Sequence, residues 1–113
     1  MNIISTIPKS KYRSWAECEA VLRQCDGEDD FWLVNTMNLP KKAGIGDLCY
    51  MVYDGMIRGY FHIVDIQPTE SFRSTHRIGK RRITDSLQLV NWFSITPIPK
   101  VGFQGWNYTA LRP

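Results

Sequence analysis

The chain has no long hydrophobic run. Nothing in it approaches the ~18–20 consecutive apolar residues of a membrane-spanning helix, so no membrane partner is expected. The opening stretch Met1–Ile7 is a short apolar run with no basic residue before it, and no secretory signal is expected there. Cysteine is scarce as well: three residues, an odd number at irregular spacing, make no disulfide framework and point to a reducing, cytoplasmic setting. With only two histidines and neither Cys-x-x-Cys nor His-x-x-x-His, the usual metal-ligand spacings are missing. Gly79-Lys80-Arg81 lacks both the upstream glycine spacing and the following hydroxyl of a phosphate loop. Gly44-Ile45-Gly46 lacks the third glycine of a dinucleotide fingerprint and precedes a strand, not a helix. No metal and no cofactor is therefore expected. There is also no internal repeat, low-complexity tract or linker-like stretch, so the 113 residues are expected to form a single domain, 1–113.

What is present is an ordinary globular composition, 43% hydrophobic and 22% charged, which argues against disorder. The net charge of +3 is mild, but its distribution is uneven. Asp26, Glu28, Asp29 and Asp30 form one acidic cluster. Arg73, Arg77, Lys80, Arg81 and Arg82 form a basic block with no acidic residue in it.

One helix is predicted from Ser14. Ser14-Trp15-Ala16-Glu17 reads as a capping box. Trp15, Cys18, Val21, Leu22 and Cys25 follow at helical spacing, and Asp26-Gly27 is expected to end the helix. On that stripe Cys18 and Cys25 read as small buried hydrophobes. The period then changes to two. Phe31–Asn35 reads as a strand, and Leu48–Tyr53 and Met56–Val64 read as a hairpin about Asp54-Gly55, a pair that accepts positive φ at both turn positions. The two-residue turn predicts Val52 opposite Ile57, Tyr50 opposite Gly59 and Leu48 opposite Phe61 on an apolar core face. Met51 with Arg58, Cys49 with Tyr60 and Asp47 with His62 then share a mixed face, and the Tyr50 ring lies over Gly59. Ser86–Ile95 reads as a further strand that Thr96-Pro97-Ile98-Pro99 ends. Gly102–Tyr108 reads as either a closing strand or an ordered loop. Together these elements point to an α+β fold, a small curved and mainly antiparallel β-barrel with one N-terminal helix.

Two kinds of chemistry suggest themselves. The basic block is suited to neutralising phosphates, and Trp32, Trp92 and Trp106 offer flat rings for stacking on unpaired or flipped bases. Alternatively, Cys49 beside His62, with Asp47 opposite that histidine and Lys41 or Lys42 nearby, has the makings of a nucleophilic hydrolase site.

The stretch Gly46-Asp47-Leu48-Cys49-Tyr50-Met51-Val52-Tyr53, then Gly55-Met56-Ile57-Arg58-Gly59 and Val64, resembles the PUA-like superfamily of small β-barrels, which includes the PUA, ASCH, EVE and YTH domains. Trp32-Leu33-Val34-Asn35-Thr36 and Lys41-Lys42 fit the approach to that motif, so the resemblance covers residues 31–66. It implies a curved barrel with a ligand cleft, used to bind RNA or a modified base held among aromatic rings. The Gly-x-Lys-x-x-Glu-x-Arg signature of the ASCH amidohydrolases is absent, so its lysine and glutamate have no counterpart here.

The expected function is therefore a PUA-like module that binds RNA or single-stranded or modified DNA. Arg58, Arg73, Arg77, Lys80, Arg81 and Arg82 would meet the nucleic acid, while Trp32, His62, Trp92 and Trp106 would form the ligand pocket. No catalytic residue is assigned. The alternatives are a small ASCH-like nucleoside or nucleotide hydrolase, or a module that binds a protein partner as inhibitor or adaptor.

Overall fold

The computed structural model describes residues 1–25, 32–36, 39–67, 85–103 and 105–113. The elements run β1 (Ile3–Thr6), a single 3-10 turn (Lys9–Lys11), α1 (Trp15–Arg23), β2 (Trp32–Thr36), β3 (Leu48–Tyr53), β4 (Met56–Gln67), β5 (Asp85–Pro99) and β6 (Trp106–Tyr108). The six strands of the described residues join one sheet in the order β2-β5-β4-β3-β1-β6. It is a mixed sheet, since β1 runs parallel to β3 while the other neighbours are antiparallel. The sheet curls into a half-barrel. Among the described residues no ladder joins β2 to β6, so the curl stays open along one seam. No helix of the described residues is long and apolar enough to cross a membrane.

The helix starts where its cap predicts. The Ser14 hydroxyl accepts from the Glu17 amide at 3.2 Å, which satisfies one of the donors a helix start leaves free. It ends earlier than expected, at Arg23. Cys25 has left the helix because its carbonyl accepts the Asn91 amide at 2.8 Å and so ties the end of α1 to β5. Asp26-Gly27 and the acidic cluster lie outside the described residues. Cys18 and Cys25 are both buried, as their place on the apolar stripe implies.

The turn of the hairpin has the expected backbone, with φ of 50° at Asp54 and 75° at Gly55. The predicted register holds for one pair beyond it, Val52 with Ile57, and then slips by one. Arg58 is the extra residue of a bulge, so Met51 faces Gly59, Tyr50 faces Tyr60, Cys49 faces Phe61 and Leu48 faces His62. This corrects the predicted pairs Tyr50–Gly59, Leu48–Phe61, Met51–Arg58, Cys49–Tyr60 and Asp47–His62. It also corrects the predicted faces. Cys49, Met51, Tyr53, Phe61 and Ile63 point inward to the main core with Ile3, Ile7, Cys18, Leu22, Leu87 and Leu89. Tyr50, Val52, Ile57 and Tyr60 form a second core with Ile4 on the outer face. Both faces of the hairpin are buried, so hydrophobic pattern alone cannot oppose a slip of one residue.

Gly59 is covered by Trp92, not Tyr50. A Cβ built there would lie 2.7 and 2.8 Å from Cζ2 and Cη2 of the Trp92 ring, and nearer still to the Phe93 carbonyl oxygen. The ladder between β4 and β5 also shifts register at three places, between Ile57 and Gly59, between Tyr60 and His62, and between Ile63 and Asp65. Near Asn91, whose φ is 59°, Tyr60 still pairs with Phe93 but His62 pairs with Val90. Asparagine tolerates this left-handed backbone better than most residues. The slip of register there increases local twist and helps the long strands curl.

β5 does not stop before its prolines. It continues to Pro99, with Ile57 paired to Ile98 and Met56 to Pro99. The Lys100 amide donates to Gly55 at 2.9 Å. Amides alternate along a strand, so the nitrogens of Pro97 and Pro99 point away from β4. β2 covers only Asp85–Leu89 on that other side, so the missing donors leave no ladder bond unmade. Residues 106–108 resolve the choice for the tail as a closing strand paired with β1.

Candidate functional site

Where the sheet stays open, a cleft of about 230 Å³ separates β2 from the end of β1. β1 supplies Ser5 and Thr6, and the chain just after it supplies Ile7, Pro8 and, from the 3-10 turn, Lys11. Trp32, Leu33 and Val34 of β2 form the opposite wall. Met51 of β3 and Gly105 complete the lining.

The cavity lies where, among the described residues, two strand edges carry no ladder. Among the described residues β2 is bonded on one side only, to β5. The β6 ladder pairs with Ile3–Ser5, and among the described residues no ladder covers β1 beyond Ser5 on that side, where Phe103 instead meets the Thr6 hydroxyl. Ile3 and Ile7 bury aliphatic side chains in the inner core, and Ser5 lies between them on the same face. It is the one buried polar residue among the described residues, 5% exposed. Its hydroxyl donates to the Gly105 carbonyl at a long 3.3 Å. Thr6 Oγ1 accepts the Phe103 amide at 3.2 Å. The Trp32 ring lies nearly parallel to Phe61, 18° between planes and 6.3 Å between centroids, which fixes the indole against the core.

Of the sequence-predicted ligand residues, the structure places only Trp32 in this cleft. Trp106 packs against the same inner core and meets Tyr108 edge-on at 4.9 Å. Trp92 is tied elsewhere. Its indole N–H is shared between Glu19 Oε2 (3.2 Å) and Ser94 Oγ (3.1 Å), while its ring sits edge-on to Phe61 and Trp15. Ser94 Oγ also donates to Glu19 at 2.5 Å, and Arg23 pairs with the other carboxylate oxygen at 3.5 Å. The Ser94 hydrogen bond is the main reason the Glu19 carboxyl titrates below its ordinary value.

Arg58 and His62 were expected on one mixed face, and the bulge separates them. Arg58 lies over the Trp15 ring at 5.0 Å on the helix side and donates Nε to the Tyr53 carbonyl at 3.2 Å. His62 is edge-on to Tyr60 on the outer face, and its Nδ1 donates to the Asn91 carbonyl at 3.2 Å. Arg73, Arg77, Lys80, Arg81 and Arg82 lie outside the described residues. The facing pair Gln67 and Ser86 brackets the stretch that carries them.

The nucleophile constellation does not assemble. Cys49 points into the core opposite Phe61, fully buried, with Sγ against Met51 Sδ at 3.7 Å. Burial pushes its thiol up to about 12, far from a thiolate at neutral pH. His62 is on the other face of the same ribbon. Asp47 is engaged by the Met1 amino group at 2.8 Å and the Gly44 amide at 2.9 Å, and the first of these contributes most to holding its carboxyl below the usual range. Lys42 gives its backbone amide to Tyr108 Oη at 2.9 Å, and both Lys41 and Lys42 are exposed.

Ser5, Thr6, Lys11 and Met51 are site residues that sequence reasoning missed. Only Ser5 carried any signal, as a hydroxyl alternating with Ile3 and Ile7, and that pattern has no meaning until β1 is known to be a strand. Compared with known protein families, with curated proteins and with solved structures, the chain matches none.

Proposed function

We propose that this chain is a nucleic-acid-binding module of PUA-like type, which holds an unpaired or modified base in the seam cleft. The carrying observation is the cleft itself: a small recess with one indole wall, a hydroxyl in its floor, and strand edges on both sides that no ladder covers among the described residues. Its volume of about 230 Å³ is below the ~300–1,000 Å³ of pockets for drug-sized molecules, which favours a single ring over a longer segment. An indole recognises the face of any base, and free backbone groups at a strand edge can read its polar rim. Arg73, Arg77, Lys80, Arg81 and Arg82 supply the phosphate contacts in this reading, and they confer affinity without sequence preference.

The test is titration of single-stranded RNA and DNA at several salt concentrations. Affinity is expected to fall steeply from low to physiological salt. Trp32→Ala should cost about 1–3 kcal/mol of binding, the usual worth of a base-stacking ring. Arg81→Ala with Arg82→Ala should weaken all sequences alike and flatten the log–log salt slope by roughly 0.7 per lost single-strand phosphate contact. Salt-independent binding, or a Trp32→Ala variant as tight as the parent, refutes the proposal.

A further inference from the structure

We infer that the seam cleft takes its base as part of a phosphorylated nucleotide, with Lys11 at the rim receiving the phosphate; this rests on the base-binding reading above. Among the described residues the lining contains no carboxylate, and Lys11 is its one charged side chain. Lys9, on the same 3-10 turn, is spent on Asp54 at 3.1 Å. Lys11 has no ion pair among the described residues. The polarity is graded with depth. Met51, Val34 and Ser5 at the floor are buried, the Trp32 wall is half-buried, and Lys11 is exposed. A ligand that matches this gradient has an uncharged flat end and an anionic end. A nucleoside has only the first, and inorganic phosphate only the second. The recess is also too small for both ends, so the sugar and phosphate of a bound nucleotide must emerge at the rim where Lys11 stands.

The test compares common and methylated ribonucleosides, their 5′-monophosphates and inorganic phosphate by calorimetry at low salt, on the full chain and on Lys11→Ala and Lys11→Glu. The expected result is that the best-binding base binds about two- to fivefold more tightly as its monophosphate, the range for a solvent-screened ion pair. That advantage shrinks toward one in Lys11→Ala and inverts in Lys11→Glu, and 0.5 M salt erases it in the parent chain. Nucleosides that bind as tightly as their monophosphates overturn the phosphate assignment while leaving base binding intact. A monophosphate advantage untouched by either Lys11 variant assigns the phosphate to another residue and overturns the proposal. Inorganic phosphate that binds as well as any nucleotide makes the cleft an anion site with no base in it, which overturns both. Failure of every nucleoside and nucleotide to bind removes the base-binding reading, and this inference with it.

Discussion

Replacing Gly59 with alanine adds one methyl group where the structure has no room for it. The new carbon would sit 2.7 Å from a ring atom of Trp92 and closer still to the Phe93 carbonyl, distances that packed carbon atoms do not sustain. Neither neighbour can yield freely. The Phe93 carbonyl belongs to β5 backbone paired to β4, and Trp92 is held by its N–H to Glu19 and Ser94 and by ring contacts to Phe61 and Trp15. Relief must therefore part the β4–β5 ladder or swing the indole and break its hydrogen bonds. Overpacking of this kind costs ~1–3 kcal/mol, and a lost hydrogen bond adds about 1. The backbone at Gly59 does not have the positive φ that favours glycine, so alanine recovers ~0.4–1 kcal/mol by restricting the unfolded chain. The balance is a loss of about 1–3 kcal/mol. Urea unfolding followed by far-UV circular dichroism measures it, and near-UV dichroism should show a disturbed indole. If the indole is the obstacle, Trp92→Leu should absorb part of the cost, so the double variant would be more stable than the sum of the single losses predicts. A Gly59→Ala protein as stable as its parent, or strict additivity with Trp92→Leu, refutes the assignment of Trp92 as the cover of this glycine.

The remaining predictions concern titration and reactivity. Glu19 has a carboxyl held below its ordinary value of 4.5, chiefly by the Ser94 hydrogen bond. A depressed folded pKa stabilises the protein above the unfolded value, and that stability is lost as pH falls through the folded one. Glu19→Gln should therefore cost stability at pH 6–7 and progressively less as pH falls below 4.5; an equal loss at pH 7 and pH 3 would refute this. The three thiols are all buried, with Cys49 pushed up to about 12 and Cys18 to about 11. A thiol-specific disulfide reagent at pH 8 should react with the native protein only as fast as the chain opens, and with three thiols at once in denaturant. One fast-reacting native thiol would contradict the packing of this core.

Much of this protein is readable one short window at a time. The Ser14 cap, the Trp15–Leu22 stripe and the Asp54-Gly55 turn each arise from contacts between residues only a few positions apart, so their chemistry is visible in the order of residues alone. The hairpin register beyond Val52 is not of that kind. Arg58 bulges where its guanidinium reaches Trp15 and the Tyr53 carbonyl, and where the bare backbone of Gly59 receives Trp92 from a strand more than thirty positions away. That single slip turned His62 to the face opposite Cys49, which packs into the core, and so dissolved a nucleophile site that the undisturbed turn would have assembled. β1 was illegible for a related reason. Four residues paired in parallel to a partner some forty-five positions on carry no turn signal, and their inward Ser5 becomes meaningful only beside Met51. Of the four residues the sequence offered for a ligand pocket, Trp32, His62, Trp92 and Trp106, Trp32 alone lines the cleft. The cleft it lines lies between β2 and the end of β1, whose facing edges carry no ladder among the described residues, and which edges stay open is decided only when the whole sheet has curled, since it depends on strand order and not on any local run of residues.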